Sequence, residues 1–269
     1  MIWKKLKQLV IVSMTITLVA CGTIIDRQDS APVLTRDVST VPNAVPRDEP
    51  RSKYGNPAHY EVFGKRYYTL NTSRGYRERG IASWYGTKFH GKRTSSGEPY
   101  DMYAMTAAHK TLPLPTYVEV TNLNNGRKVT LKVNDRGPFH DNRLIDLSYS
   151  AATKLGIIGK GTGMVEVRAI TVGEAAPVTT VSLDKEPAST GYVGLYLQVG
   201  AFSSSSRAEQ VKSKIQQQIG DAVLIMPLNK PEGSLFRVRI GPLASVEYGD
   251  SLASRLIDLG FNDAHIVVE

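Results

Sequence analysis

The chain has 269 residues, a formal net charge of +8 and a single cysteine. That length allows one or two domains with additional segments. The lone cysteine excludes an internal disulfide, so packing must hold any folded part together. Residues 78–172 contain thirteen Lys and Arg against eight Asp and Glu, whereas residues 194–269 contain seven against eight. The positive field therefore belongs to the middle of the chain and suits an anionic polymer; a solvated surface without a partner is the alternative.

Lys4, Lys5 and Lys7 precede an apolar run from Leu9 to Ala20. The run is too short to favour a membrane span over a secretory signal core, which assigns 1–20 to a signal peptide. It ends in Leu18-Val19-Ala20-Cys21, which resembles the bacterial lipobox. The resemblance implies a lipid on Cys21, and Gly22 after it implies the outer membrane, facing the periplasm. An ordinary cleavage site that happens to precede a cysteine is the alternative. An exported chain rarely meets nucleic acid, so nucleic acid is not an expected partner.

Residues 21–57 are rich in Pro, Ser, Thr, Asp and Arg without apolar periodicity, the composition of a disordered tether. Tyr60–Leu70 reads as a hairpin around Gly64, within an extension (58–77) packed on the next domain. Between 78 and 172, strands are predicted over Ile81–Tyr85, Ala104–Ala108, Tyr117–Asn122, Lys128–Asn134 and Met164–Ile170. Asn124-Asn125-Gly126 is a strong hairpin signal between two of them. Val129, Leu131 and Val133 share one face of their strand. One helix is predicted, Tyr149–Leu155, capped by Ser148 and stopped by Gly156. Short strands around one small helix point to a compact closed barrel.

Residues 173–193 lack any period and read as a second disordered linker. From 194 to 269 the order is a strand (Leu195–Phe202), a helix (Ser203–Ile219), two strands (Ala222–Leu228, Leu235–Ile240), a helix (Val246–Leu259) and a strand (Ala264–Val268). This βαββαβ order is the ferredoxin-like arrangement. The fold class is mainly β followed by α+β.

The polar residues with chemistry cluster on turns of the barrel segment, where a rigid scaffold can aim them. Glu98 lies between Gly97 and Pro99; Asp135 follows a strand and precedes Arg136-Gly137-Pro138; His109 ends another strand. Strand alternation puts Asp135 and Arg136 on opposite faces, which frees the carboxyl from its neighbour. Each residue also has a plain structural reading: Asp135 as a turn residue, Glu98 as a solvated loop carboxylate, His109 as a satisfied core histidine. The five histidines (59, 90, 109, 140, 265) show no paired zinc spacing and no nucleotide fingerprint is present, so neither metal nor cofactor is expected.

The runs Gly80-Ile-Ala-Ser-Trp-Tyr-Gly86, Phe89-His-Gly-Lys-Arg-Thr-Ser-Ser-Gly-Glu-Pro-Tyr-Asp101, Met105-Thr-Ala-Ala-His109 and Val133-Asn-Asp-Arg-Gly-Pro-Phe139 together resemble rare lipoprotein A. Leu197-Gln-Val-Gly-Ala-Phe202 and Phe236-Arg-Val-Arg-Ile-Gly-Pro242 look like a SPOR domain. The resemblance implies a double-psi β-barrel and a peptidoglycan-binding SPOR domain. It also implies a lytic transglycosylase that cuts between N-acetylmuramic acid and N-acetylglucosamine, leaving 1,6-anhydromuramoyl ends. The acidic pair tied to activity in the family maps onto Glu98 and Asp135, with His109 as a polar companion. Asp135 is expected to be the acid/base and Glu98 its support.

In the SPOR segment, Gln198, Phe202, Arg237 and Arg239 are the expected glycan contacts, with Phe202 equally placed to be core. The implied partners are glycan strands stripped of stem peptides at the division septum, the outer membrane through the lipid, and candidate division proteins. Two other readings remain open: a non-catalytic cell-wall binder that recruits partners, and an expansin-like loosening module.

Overall fold

The computed structural model describes residues 29–33, 36–173, 194–230 and 233–269. The signal segment, Cys21, the linker at 174–193 and the first two residues of the Pro231-Glu232-Gly233 turn lie outside these. A small hairpin comes first, β1 (His59–Val62) with β2 (Lys65–Tyr68). Phe63 (φ 51°) and Gly64 (φ 74°) make its turn, as the sequence predicts.

Six strands then close into a barrel: β3 (Arg77–Tyr85), β4 (Thr106–His109), β5 (Thr116–Asn122), β6 (Lys128–Asp135), β7 (Ile145–Ser148) and β8 (Gly163–Ala169). Their order around the barrel is β3-β7-β4-β6-β5-β8. The pairs β3–β7 and β4–β6 are parallel and the rest antiparallel. The fold is of the double-psi type.

Inward-facing residues fill the barrel. Val129, Leu131 and Val133 of β6 are at most 2% exposed, and Val118, Val120, Val165 and Val167 complete the interior with Ile145 and Leu147. Helix α1 (Tyr149–Leu155) has the predicted bounds. The Ser148 hydroxyl accepts from Ala151 N, and Gly156 adopts φ 73°, the left-handed cap that glycine tolerates. Strand β7 has no counterpart among the predicted strands.

Residues 194–269 form a four-stranded sheet in the order β10-β11-β9-β12, from β9 (Leu195–Phe202), β10 (Val223–Lys230), β11 (Gly233–Ile240) and β12 (His265–Val268). Helices α2 (Ser205–Gln216) and α3 (Val246–Asp258) cover one face. Ala208, Val211 and Ile215 of α2 and Leu252 and Leu256 of α3 meet Leu195, Leu197 and Val199 there. The βαββαβ prediction holds. Ser204 caps α2 and Ser245 caps α3; α2 starts two residues later and ends three residues earlier than read from sequence, and α3 starts at the expected Val246 and ends one residue earlier.

The two domains touch. Ile81 on the outer face of β3 belongs to the same apolar cluster as the C-terminal core, with Leu123 and Met164 packed beside it. Asn142 clamps the contact: its Nδ2 donates to Asp250 Oδ1 at 2.8 Å, and its Oδ1 accepts from Ile266 N at 2.8 Å. Arg143 pairs with Asp250 at 3.4 Å.

The expected disordered tether is corrected over residues 36–57, which lie as a strap across the barrel. Val38 is 4% exposed, and Val41 and Ala44 pack on the barrel core. Ala44 N donates to Thr130 O, Lys154 Nζ to Val41 O and Ser52 N to Leu114 O. Three apolar residues at every third position, broken by Pro42, announce neither a helix nor a strand, yet each finds a place on a surface that already exists.

Candidate active site

Strand β6 supplies one wall. With its odd-numbered valines and leucine turned inward, Lys132 and Asn134 are left for the opposite side, and Asp135 stands at the strand's end. The second wall is the loop 93–99, which closes on itself through Thr94 N to Glu98 O (2.8 Å) and Gly97 N to Thr94 O (3.0 Å). Gly97 makes that closure at φ 101°, a conformation costly for other residues.

The loop is fastened to the strand end by backbone and side chains. Ser96 N donates to Asn134 O at 3.1 Å. Ser95 donates twice to Asp135 Oδ1, from its backbone N at 2.7 Å and its hydroxyl at 2.6 Å, and Arg136 N adds a third donor at 2.8 Å. All three meet the same carboxylate oxygen. The Arg136 side chain turns away, as strand alternation predicts: it donates to the carbonyls of Gly55 (2.9 Å), His109 (3.1 Å) and Leu112.

Glu98 is held by both oxygens. Lys132 Nζ meets Oε1 at 2.8 Å and Asn134 Nδ2 meets Oε2 at 2.8 Å. Partial burial works to raise its pKa, but the bonds from Asn134 and Lys132 outweigh it and hold the carboxyl below the usual range. Lys132 also contacts Glu49 of the strap at 3.1 Å, and Glu49 accepts from Tyr117 Oη. The Oδ1 atom of Asn134 is buried without a hydrogen-bond partner among the described residues.

His109 lies in the core, the second of the two places the sequence left open for it. It is 2% exposed, and its side chain bonds neither Glu98 nor Asp135. Its Nδ1 accepts from Thr111 N (3.2 Å) and Leu112 N (3.1 Å), which leaves Nε2 to donate to Tyr76 Oη at 2.9 Å. Burial, then the charges of Arg136 and Lys110, push its pKa down to about 3. The ring is a neutral core group; its carbonyl, which holds Arg136, is its link to the site.

Glu98 and Asp135 thus stand on one loop–strand junction, and Ser95, Lys132, Asn134, Glu49 and Gly55 join them unannounced by the sequence reading. Ser95 and Asn134 sit inside the motifs that flagged the two acids, and strand alternation could have found Lys132. Nothing in the strap's composition marked Glu49.

In the C-terminal domain, Gln198 Oε1 accepts from Arg239 Nε (3.1 Å) and Nη2 (3.0 Å). Arg239 and Arg237 both reach Glu269 Oε1, at 2.6 and 3.0 Å. Arg239 is only 3% exposed, so it shapes this face of the sheet, while Gln198 and Arg237 stay partly open. Phe202 is half core: it packs on the apolar cluster, and its ring lies so close over Gly200 that a Cβ there would stand 3.0 Å from it.

The lytic transglycolase family model matches residues 77–168, and the SPOR domain model matches residues 191–267. An endolytic peptidoglycan transglycosylase RlpA from Pseudomonas aeruginosa is 42% identical over 270 residues, covering 82% of this chain and 78% of that protein. The chain belongs to the RlpA family. The RlpA of Vibrio cholerae is 40% identical, covering 88% of this chain and 86% of its own. A solved RlpA SPOR domain from P. aeruginosa is 31% identical, covering 28% of this chain and 97% of that one at a TM-score of 0.27. The family's transglycolase match coincides with strands β3 to β8, and its SPOR match coincides with the βαββαβ unit. Both carboxylates of the junction therefore fall inside the transglycolase match.

Proposed function

We propose that the protein is a lytic transglycosylase that cuts peptidoglycan glycan strands between N-acetylmuramic acid and N-acetylglucosamine. The observation that carries this reading is Asp135, whose Oδ1 is fixed by three donors, next to a Glu98 fixed by Lys132 and Asn134. One oxygen anchored leaves Oδ2 as the oxygen to meet a substrate.

Protonated Asp135 gives its proton to the glycosidic oxygen as the bond to the anomeric carbon breaks. The muramic acid C6 hydroxyl attacks that carbon, and its proton passes to Asp135, restoring the acid. The new bond closes the 1,6-anhydro ring. Because the nucleophile is the substrate's own hydroxyl, the carboxylate spacings set by a positioned water or a covalent intermediate do not constrain the pair. Glu98, held in its ionised form, offsets the positive charge that develops on the sugar ring.

The preferred strands lack stem peptides, the SPOR domain holds such strands at the division septum, and a lipid on Cys21 tethers the chain to the outer membrane. The reading is supported by the family, the junction geometry and the sequence around Cys21. Mass spectrometry of sacculi digested with the protein tests the chemistry: anhydromuramoyl ends are expected. Their absence from every glycan offered would leave a non-catalytic wall binder. Fractionation of Cys21→Ala and fluorescence localisation of residues 191–269 test the address.

A further inference from the structure

The strap brings an exposed aromatic ring to the loop that carries Glu98. Tyr54 keeps 50% of its surface open. A Cβ built on Gly97, the residue before Glu98, would stand 3.4 Å from Tyr54 Cδ2 and 3.1 Å from Arg93 Nη2. Gly55, the next residue after Tyr54, abuts the carbonyl of Ser95. The ring thus borders the loop that carries Glu98 and holds Asp135.

Two cations gather on it. The Arg93 guanidinium carbon lies 5.1 Å from the ring centroid and Lys53 Nζ lies 5.6 Å from it. Both side chains are exposed, and among the described residues neither is in an ion pair with a carboxylate. A π face can hold cations but does not neutralise them. An arriving anion gains charge-assisted hydrogen bonds from these exposed cations.

In a glycan strand the anion is defined by chemistry. The lactyl group of N-acetylmuramic acid ends in a carboxylate when no stem peptide is attached and in a neutral amide when one is. We propose that Lys53, Tyr54 and Arg93 form a subsite that takes the free lactyl carboxylate of a stripped strand beside the reacting bond. The subsite rests on the glycan-cleaving reading and gives its preference for stripped strands a physical basis.

The test uses the full chain and two substrates: stripped strands, and the same strands with lactyl carboxylates coupled to methylamine. The parent protein is expected to show a lower KM for the free-acid strands, by up to about fivefold for each exposed cation. Added salt should erode the difference, and Lys53→Gln with Arg93→Gln should abolish it. Equal KM values for the two strands in the parent, or a preference retained in the double variant, would overturn the subsite. If the parent yields no anhydro ends on either strand, the cleavage reading fails by itself. The same strands are then compared by calorimetric binding to the Asp135→Asn chain with and without the two substitutions, which holds the SPOR contribution constant. Equal affinities there would also overturn the subsite.

Discussion

Glu49 and Glu98 share the ammonium of Lys132, at 3.1 and 2.8 Å. A residue of the strap and a residue of the loop 93–99 are thereby joined through one charge. Glu98's depressed pKa means that its ionised form is kept above its lowered value and lost as pH falls through it. Lys132→Met removes an interaction that lowers this pKa, so the acid limb of kcat/KM for anhydro-end formation should move to higher pH. Glu49→Gln should move it the other way, because the Glu49 charge raises Glu98. An acid limb that stays in place in both variants would show that Glu98 is not the group behind it.

Asp135→Asn keeps the shape of the side chain and removes the transferable proton. Product formation should fall by about a hundred- to ten-thousandfold, with glycan retention by the SPOR domain unchanged. Glu98→Gln should lose less, since an amide still bonds to Lys132 or Asn134 through its oxygen. Full turnover in a folded Asp135→Asn protein would refute the acid/base role.

Gly55 couples the strap to the site. Its φ is 79°, and a Cβ there would stand 2.7 Å from Ser95 O and 2.9 Å from Leu114 Cδ1. Gly55→Val must displace the loop that holds Asp135, and a displacement near 1 Å at such a site costs about a hundredfold in rate. Gly64→Val is the control: its φ is 74°, but nothing lies within 4 Å of its added Cβ. Both variants should lose stability, by about 1–3 kcal/mol from backbone strain. Only Gly55→Val should lose turnover, and a like loss in Gly64→Val would refute the coupling.

His109 makes stability depend on pH. Its folded pKa, about 3, lies below the ordinary value of 6.5, so below 6.5 the unfolded chain takes up a proton that the folded chain refuses. Stability is therefore full above 6.5 and falls as pH drops toward 3, by up to about 1.4 kcal/mol per pH unit. In His109→Gln the slope of melting free energy between pH 4 and 6.5 should flatten. An unchanged slope would assign it to other groups.

The strands, helix caps and both acids were legible because each is local. Val129, Leu131 and Val133 alternate within six residues, and Gly156 stops a helix that Ser148 begins. The strap was not legible, because Val38, Val41 and Ala44 are apolar residues whose partners lie far off in sequence, on α1 and β6. For a related reason the sequence left His109 open between a companion of the acids and a satisfied core histidine. Sequence places it near the acids but cannot reveal that Tyr76, Thr111 and Leu112 already satisfy both ring nitrogens. Arg239 looked like a ligand contact from alternation alone; its burial against Gln198 and Glu269 needed three strands in register.

The order of contacts along the strap has a mechanical consequence. Reading toward the barrel, Val38, Val41 and Ala44 are seated before Glu49 reaches Lys132 and before Gly55 reaches Ser95. A pull on the chain upstream is therefore borne first where Asp29 holds the backbone of Gly86 and Lys88 and then by an apolar plug wedged against α1, much as cable clamps take the load ahead of the terminal. The plug must slip before tension can reach Glu49 or the loop that grips Asp135.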